Sequence, residues 1–224
     1  MYRSFCLATA LASLIAFASA QAASSERHQG HARLIDGDTI VIDDQAIRLN
    51  GIDTPESAQR CLDEHNKEYR CGKSASDALN RLIRGRPVLC IGSERDDYGR
   101  LIAECSAGET SLNREMVRLG WAVAYEEYTD RYLPEAIEAR KANRGIWRGE
   151  FTPPKEFRKE RWEVSQEDAP NGCPIKGNIS DRGKIYHTPW SQYYTRTKIT
   201  RSKGELWFCD ENEAVQAGWR APYR

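Results

Sequence analysis

The sequence is notable first for what it lacks. Its 33 Lys and Arg are matched by 33 Asp and Glu, so there is no net charge. That excludes a polybasic coat or tail that would hold nucleic acid by bulk counterion release. No CxxC or HxxxH pair occurs among the seven Cys and four His, which argues against a thiolate zinc site. No internal repeat is present, which excludes a solenoid or propeller. The longest apolar run, Phe5 to Ala18, is broken only by Thr9 and Ser13. At about 14 residues it falls short of the ~20 needed to cross a bilayer.

That run reads as an export signal. Arg3 provides the positive start and Ala18-Ser19-Ala20 the small-x-small cleavage pattern, giving a signal peptide over residues 1–20. A periplasmic or secreted mature chain without a membrane span is expected, with cleavage near Ala20. Six cysteines then remain: Cys61, Cys71, Cys90, Cys105, Cys173 and Cys209. Fifteen pairings are formally possible, and proximity in sequence favours Cys61–Cys71, Cys90–Cys105 and Cys173–Cys209.

Residues 21–30 are polar and read as a loose lead-in. From Ala32, short apolar runs alternate with turn residues, as in a strand meander over Ala32–Ile35, Ile40–Ile42 and Ala46–Ile52. Ala75, Ala78, Leu79, Leu82 and Ile83 recur at helical spacing between Gly72 and Gly85. Two strands, Pro87–Ile91 and Leu101–Cys105, flank a turn. A second helix carries Leu112, Met116 and Leu119, and a third Leu133, Ala136 and Ile137. The fold class expected is α+β, a small five-stranded β-barrel capped by three helices. It occupies residues 28–150, followed by a charged linker at 151–170, with Lys155 to Glu163 a solvated helical spacer. A small disulfide-linked module fills residues 171–224.

The chemistry concentrates between Ile35 and Glu56. Asp36 and Asp38 lie in I-D-G-D-T, and Asp53 follows 15 residues after Asp38 in G-I-D-T-P-E. Carboxylates from adjacent strand ends can meet at a barrel rim and hold a hard divalent cation. Taken alone, each motif is an ordinary turn. Arg48, before Asp53, and Arg100, in D-D-Y-G-R, change that reading. Acids with two arginines suit phosphodiester cleavage, because a guanidinium fork matches two phosphate oxygens and keeps its charge.

With these residues in view, the chain resembles the thermonucleases related to staphylococcal nuclease. The matching segments are I-D-G-D-T at Ile35–Thr39, R-L-x-G-I-D-T-P-E at Arg48–Glu56, D-x-Y-G-R at Asp96–Arg100, L-G-W-A at Leu119–Ala122 and G-I-W at Gly145–Trp147. The resemblance implies an OB-fold and a calcium-dependent nuclease acting on DNA and RNA, with water attacking phosphorus and 3′-phosphate ends left behind. It makes Asp38, Asp53 and the Thr54 carbonyl the calcium ligands, with Asp36 in support. Arg48 and Arg100 would bind the scissile phosphate, Glu56 would handle the water, and Tyr98 and Tyr125 would line the nucleotide pocket. A monomer is expected. The alternatives are a non-catalytic OB-fold module binding single-stranded nucleic acid or envelope polymers, and a metal-dependent phosphatase with a closed pocket.

Between Lys176 and Lys203, seven Lys and Arg face one acid, Asp181, and are interleaved with Tyr186, His187, Trp190, Tyr193 and Tyr194. Such a segment suits a surface that tracks a strand and stacks bases; its aromatics equally suit a small core. It is similar in outline to zinc-binding DNA-repair modules but lacks their four cysteines. His187 is expected to be structural.

Overall fold

The computed structural model describes residues 25–126 and 129–223. The export segment read at residues 1–20 lies outside them. Among the described residues no helix is long and apolar enough to cross a membrane.

The strands are β1 (Glu26–Gly30), β2 (Arg33–Leu34), β3 (Thr39–Ile42), β4 (Gln45–Leu49), β5 (Ile52–Asp53), β6 (Cys61–Leu62) and β7 (Glu68–Tyr69), leading to helix α1 (Cys71–Ile83). Then come β8 (Val88–Arg95), β9 (Leu101–Ala107), β10 (Thr110–Ser111), α2 (Leu112–Arg118), β11 (Val123–Ala124) and α3 (Leu133–Lys141). Helix α4 (Pro154–Asp168) precedes β12 (Ile175–Ser180), β13 (Gly183–His187), β14 (Leu206–Phe208) and α5 (Glu211–Gln216).

The main sheet runs β1-β8-β9-β4-β3-β2, with β10 added to β9. All its pairs are antiparallel except β4 with β9. It curls enough that a side chain at Gly30 of β1 would strike Ile42 of β3, several strands away. The sheet is larger than the five strands expected from sequence. The supposedly loose lead-in supplies β1, whose backbone pairs with β8 from Glu26 opposite Gly92 to Gly30 opposite Val88. Polar side chains hid it, because an edge strand needs backbone bonds more than apolar residues.

Apolar side chains of β3, β4, β8 and β9 fill the concave face and meet Ala75, Leu79 and Ile83 of α1 and Leu112, Met116 and Val117 of α2. Ile137, expected on the packed face of α3, is instead 57% exposed; Ala136 and Ala139 are buried. All three disulfides form as paired above. Cys90 and Cys105 are direct partners across β8 and β9. The C-terminal strands form a separate sheet, β13-β12-β14, over a small core of Ile175, Tyr186, Phe208, Ala214 and Trp219.

Candidate active site

The site is assembled at one edge of the curled sheet. Thr39 of β3 lies opposite Arg48 of β4, so the turn holding Asp36 and Asp38 sits beside Arg48. Asp36 caps that turn, its Oδ1 accepting the Asp38 N–H at 3.1 Å and the Thr39 N–H at 2.8 Å. Gly37 lets the turn approach: a Cβ there would lie 2.7 Å from the Thr54 hydroxyl. Asp53 comes from β5, paired with Val123 of β11. The loop entering β5 is pinned by Asn113, whose Nδ2 donates to the Asn50 carbonyl at 3.0 Å.

Arg48 joins the two principal acids. Its Nη1 donates to Asp38 Oδ1 at 3.0 Å and its Nη2 to Asp53 Oδ1 at 3.0 Å. The other oxygen of Asp38 accepts the Thr54 N–H at 3.0 Å and hydroxyl at 3.2 Å. Asp38 and Asp53 are 3% and 2% exposed, so their charge is stable only because it is bonded on every side. Burial alone would raise Asp38, but Arg48, Arg100 and Arg158 outweigh it and hold the carboxyl below its ordinary range. Asp36 is displaced upward, by burial and by the neighbouring Asp38 charge.

Glu56 lies just beyond. Its backbone N–H donates to Gln59 Oε1 at 3.1 Å, and Gln59 in turn donates to the Thr152 carbonyl at 2.6 Å. Gly72, opening α1, passes so close that any side chain there would collide with the Glu56 carbonyl. Burial pushes the Glu56 carboxyl well above the usual range, against the opposing pull of Arg158. Arg100 is set by its own turn: Asp96 Oδ1 accepts the N–H groups of Tyr98 and Arg100, and Oδ2 takes Arg100 Nε at 2.6 Å. Its guanidinium lies 5.2 Å from the Tyr98 ring centroid.

Arg48, Arg100, Tyr98 and Tyr125 line one cavity of about 490 Å³ at this edge. Asp38, Asp53 and Glu56 do not line it; they connect to it through Arg48 and Arg158, which do. Among the described residues, no three acidic, histidine or cysteine side chains converge as a ready metal cage.

The cleft also contains residues that the motifs do not include. Arg158 of α4 grips Asp53 with both nitrogens, Nη1 to Oδ1 and Nη2 to Oδ2 at 2.9 Å each, and Nη1 also donates to Glu56 Oε1 at 2.7 Å. The charged stretch after the barrel is thus helical but not merely solvated: one of its arginines enters the site. Trp162, one turn on, and Trp190 and Glu211 from the C-terminal region line the same cavity. The available signal was modest, namely that Pro154, Arg158, Trp162 and Ser165 fall on one helix face. An arginine among six other charges in Lys155–Glu163 does not announce that it is the one turned inward.

The other C-terminal aromatics are mostly structural. Tyr186 is buried and its hydroxyl donates to Glu211 at 2.8 Å, while the Tyr194 hydroxyl donates to the Pro174 carbonyl at 2.7 Å. His187 is buried against Asn178, 2.9 Å away.

A family model described as staphylococcal nuclease homologue matches residues 46–149, and one described as ArfC matches residues 162–221. The succinoglycan biosynthesis protein ExoI of Rhizobium meliloti is 38% identical over 132 residues, which are 58% of this chain and 69% of the relative. An uncharacterized endonuclease of Escherichia coli O157:H7 is 38% identical over 122 residues, 51% of this chain and 73% of the relative. The thermonuclease of Staphylococcus hyicus is 32% identical over 126 residues, 51% of this chain and 72% of the relative. The curled sheet and its helices are accordingly an OB-fold, and the chain belongs to the family of staphylococcal nuclease homologues, extended by an ArfC region.

Proposed function

We propose that this is an exported, calcium-dependent nuclease that hydrolyses phosphodiester bonds of DNA and RNA with little sugar specificity, leaving 3′-phosphate ends. The observation that carries the reading is the bridge of Arg48 between Asp38 and Asp53, beside a cleft lined by Arg48 and Arg100, with Glu56 tied to Asp53 through Arg158. Relatives named endonuclease and thermonuclease support it. Three disulfides support an oxidising compartment.

A hard divalent cation suits the donor set: two buried carboxylates reached by a single guanidinium, with oxygen atoms throughout. Asp38, Asp53 and the Thr54 carbonyl would hold it, with Asp36 bracing the turn. When bound, calcium supplies a positive centre for a phosphate oxygen and for water. The protein groups do the rest. Arg48 and Arg100 donate to the phosphate oxygens and stabilise charge as it grows on phosphorus. Glu56 orients the attacking water and accepts its proton, a role favoured by the raised basicity that burial confers. Tyr98 and Tyr125 border the nucleotide.

Cleavage of plasmid and of single-stranded RNA should require calcium, stop with chelator, and fall on the order of 10²- to 10³-fold in Arg100→Ala. Product ends should accept label only after phosphatase treatment of the 3′ side. Digestion indifferent to both chelator and substitution sinks the reading. The second reading, a silent OB-fold module that binds strands or envelope polymers, draws on the relative named for succinoglycan biosynthesis and on Arg158 spanning Asp53 and Glu56. It requires binding without cleavage.

A further inference from the structure

We propose that the C-terminal region builds a base-binding subsite beside the phosphate site, with the Trp190 indole as its stacking platform. The substrate is then a nucleic-acid strand whose base at that position is unpaired. This rests on the nuclease reading above and assigns a residue outside the part of the chain that matches the nuclease family model.

Several observations converge on Trp190. It lines the 490 Å³ cavity together with Arg48, Arg100 and Tyr98, and it also lines an adjoining cavity of about 360 Å³ that shares Tyr98 and Arg100. Trp190 therefore borders two spaces, each also lined by Arg100. Cavities of this size match one or two nucleotides, and a base laid flat on an indole is no longer stacked in a duplex.

The residue is also held in place from the barrel side. Its carbonyl accepts the Ala58 N–H at 3.2 Å, and the Gln192 N–H donates to the Ser57 hydroxyl at 3.1 Å. Arg70 reaches Gln192 Oε1 at 3.0 Å, and Arg161 of α4 reaches the Pro189 carbonyl at 3.3 Å. Ser57 and Ala58 directly follow Glu56, so the loop that positions the water-handling carboxylate also positions the indole. Trp162 backs it, with ring centroids 6.2 Å apart and planes tilted by 39°. That spacing leaves no gap for a base between the two rings, so stacking would use the face of Trp190 turned away from Trp162.

The competing account makes Trp190 part of the small core. Tyr186, Phe208 and Trp219 form that core, and Trp162 packs against it, but Trp190 is not among its members. Base stacking on an aromatic platform tolerates any base, because every base offers a π-face.

The test uses the full chain and short single-stranded oligonucleotides carrying one abasic position, stepped along the strand. Both kcat/KM with calcium and anisotropy of binding in chelator are measured. In the wild type, one abasic position next to the cleaved bond should lose roughly 5- to 150-fold. Trp190→Ala should lose the same factor on the intact strand and nothing more on the abasic one, and Trp190→Phe should recover most of it. A matching duplex should be cut more slowly than the strand by wild type, with the gap narrowed in Trp190→Ala. Independent, multiplying losses from the two changes overturn the subsite, as does indifference to every abasic position. If no substrate is cleaved, the nuclease reading fails, and the anisotropy series decides the subsite by the same pattern.

Discussion

In the barrel, Asp38, Asp53 and Arg48 stand at the edge of a sheet backed by 22 clustered buried residues, whereas the C-terminal region has a core of five among the described residues. The large core can hold two buried acids and their partly buried arginine in place, since burying a charged group costs several kcal/mol before pairing. The small core instead relies on a disulfide across 36 residues and on docking against the barrel. Yet both regions send side chains into one cleft. The barrel contributes Asp38, Asp53 and Arg48, whose pairing needs rigid placement. Helix α4 contributes a guanidinium and, with the C-terminal region, aromatic surface, groups that act through reach and contact.

Removing Arg48 strikes this contrast hardest. Among the described residues, Asp38 would keep Thr39 and Thr54 as neutral donors, and Asp53 would keep Arg158 from outside the barrel. Arg48→Ala should lower metal-free unfolding stability by about 3 to 5 kcal/mol, because it strands buried carboxylates. Arg158→Ala should cost about 1 to 2 kcal/mol, since Asp53 retains Arg48. Urea unfolding at neutral pH measures both. Equal losses would mean that the site is not owned by the barrel.

Next is the staple. Replacing Cys173 and Cys209 with serine should destabilise the C-terminal region by about 3 to 4 kcal/mol, the closure entropy expected of a loop this long. Hydrogen exchange should quicken in β12 and β13 while the barrel strands stay protected. Equal loosening in both regions would show that they unfold as one unit.

Acid should separate the regions as well. Burial, then the Lys176 charge, lowers His187 from its ordinary value to about 4. Its Nε2 engages Asn178 Oδ1, while Nδ1 is buried with no partner among the described residues, so the added proton would find no acceptor there. A lowered histidine contributes its stability fully above the unfolded value near 6.5 and loses it as pH falls toward 4. The C-terminal region should lose about 2 kcal/mol across that window once solvent screening is allowed for. Exchange rates of β12 amides at pH 6.5 and 4.5 test it, and His187→Gln should flatten the change.

What the sequence made legible follows the same division. The acids and arginines of the barrel were readable because strand register brings neighbours in sequence together: I-D-G-D-T and R-L-x-G-I-D-T lie on paired or adjoining strands. Cysteine pairing was readable because each bond joins nearby segments. Strand β1 was not, since its pairing is carried by backbone groups that side-chain patterning does not report. Arg158 lies 105 residues from Asp53, and Trp190 docks on Ala58 from across the chain. Contacts between separately patterned regions leave no periodicity or spacing to read. Only the placement of α4 identifies which of its charges points inward.

Arg158 offers the smallest effect and the finest test. Its guanidinium occupies both oxygens of Asp53 and one of Glu56, while Asp53 is a proposed calcium ligand. A cation entering the site must therefore displace a bidentate partner, so the apparent affinity is lowered by the fraction of chains in which Arg158 has withdrawn. Arg158→Gln removes the competing charge while keeping a donor of similar reach. Calcium titrated calorimetrically into the full-length variant should bind about tenfold more tightly, a difference of about 1.4 kcal/mol. The same substitution should leave the barrel's exchange protection intact. Weaker binding would reverse the assignment, because Arg158 would then hold Asp53 and Glu56 in a cation-ready posture, and α4 would belong to the site as support for the metal.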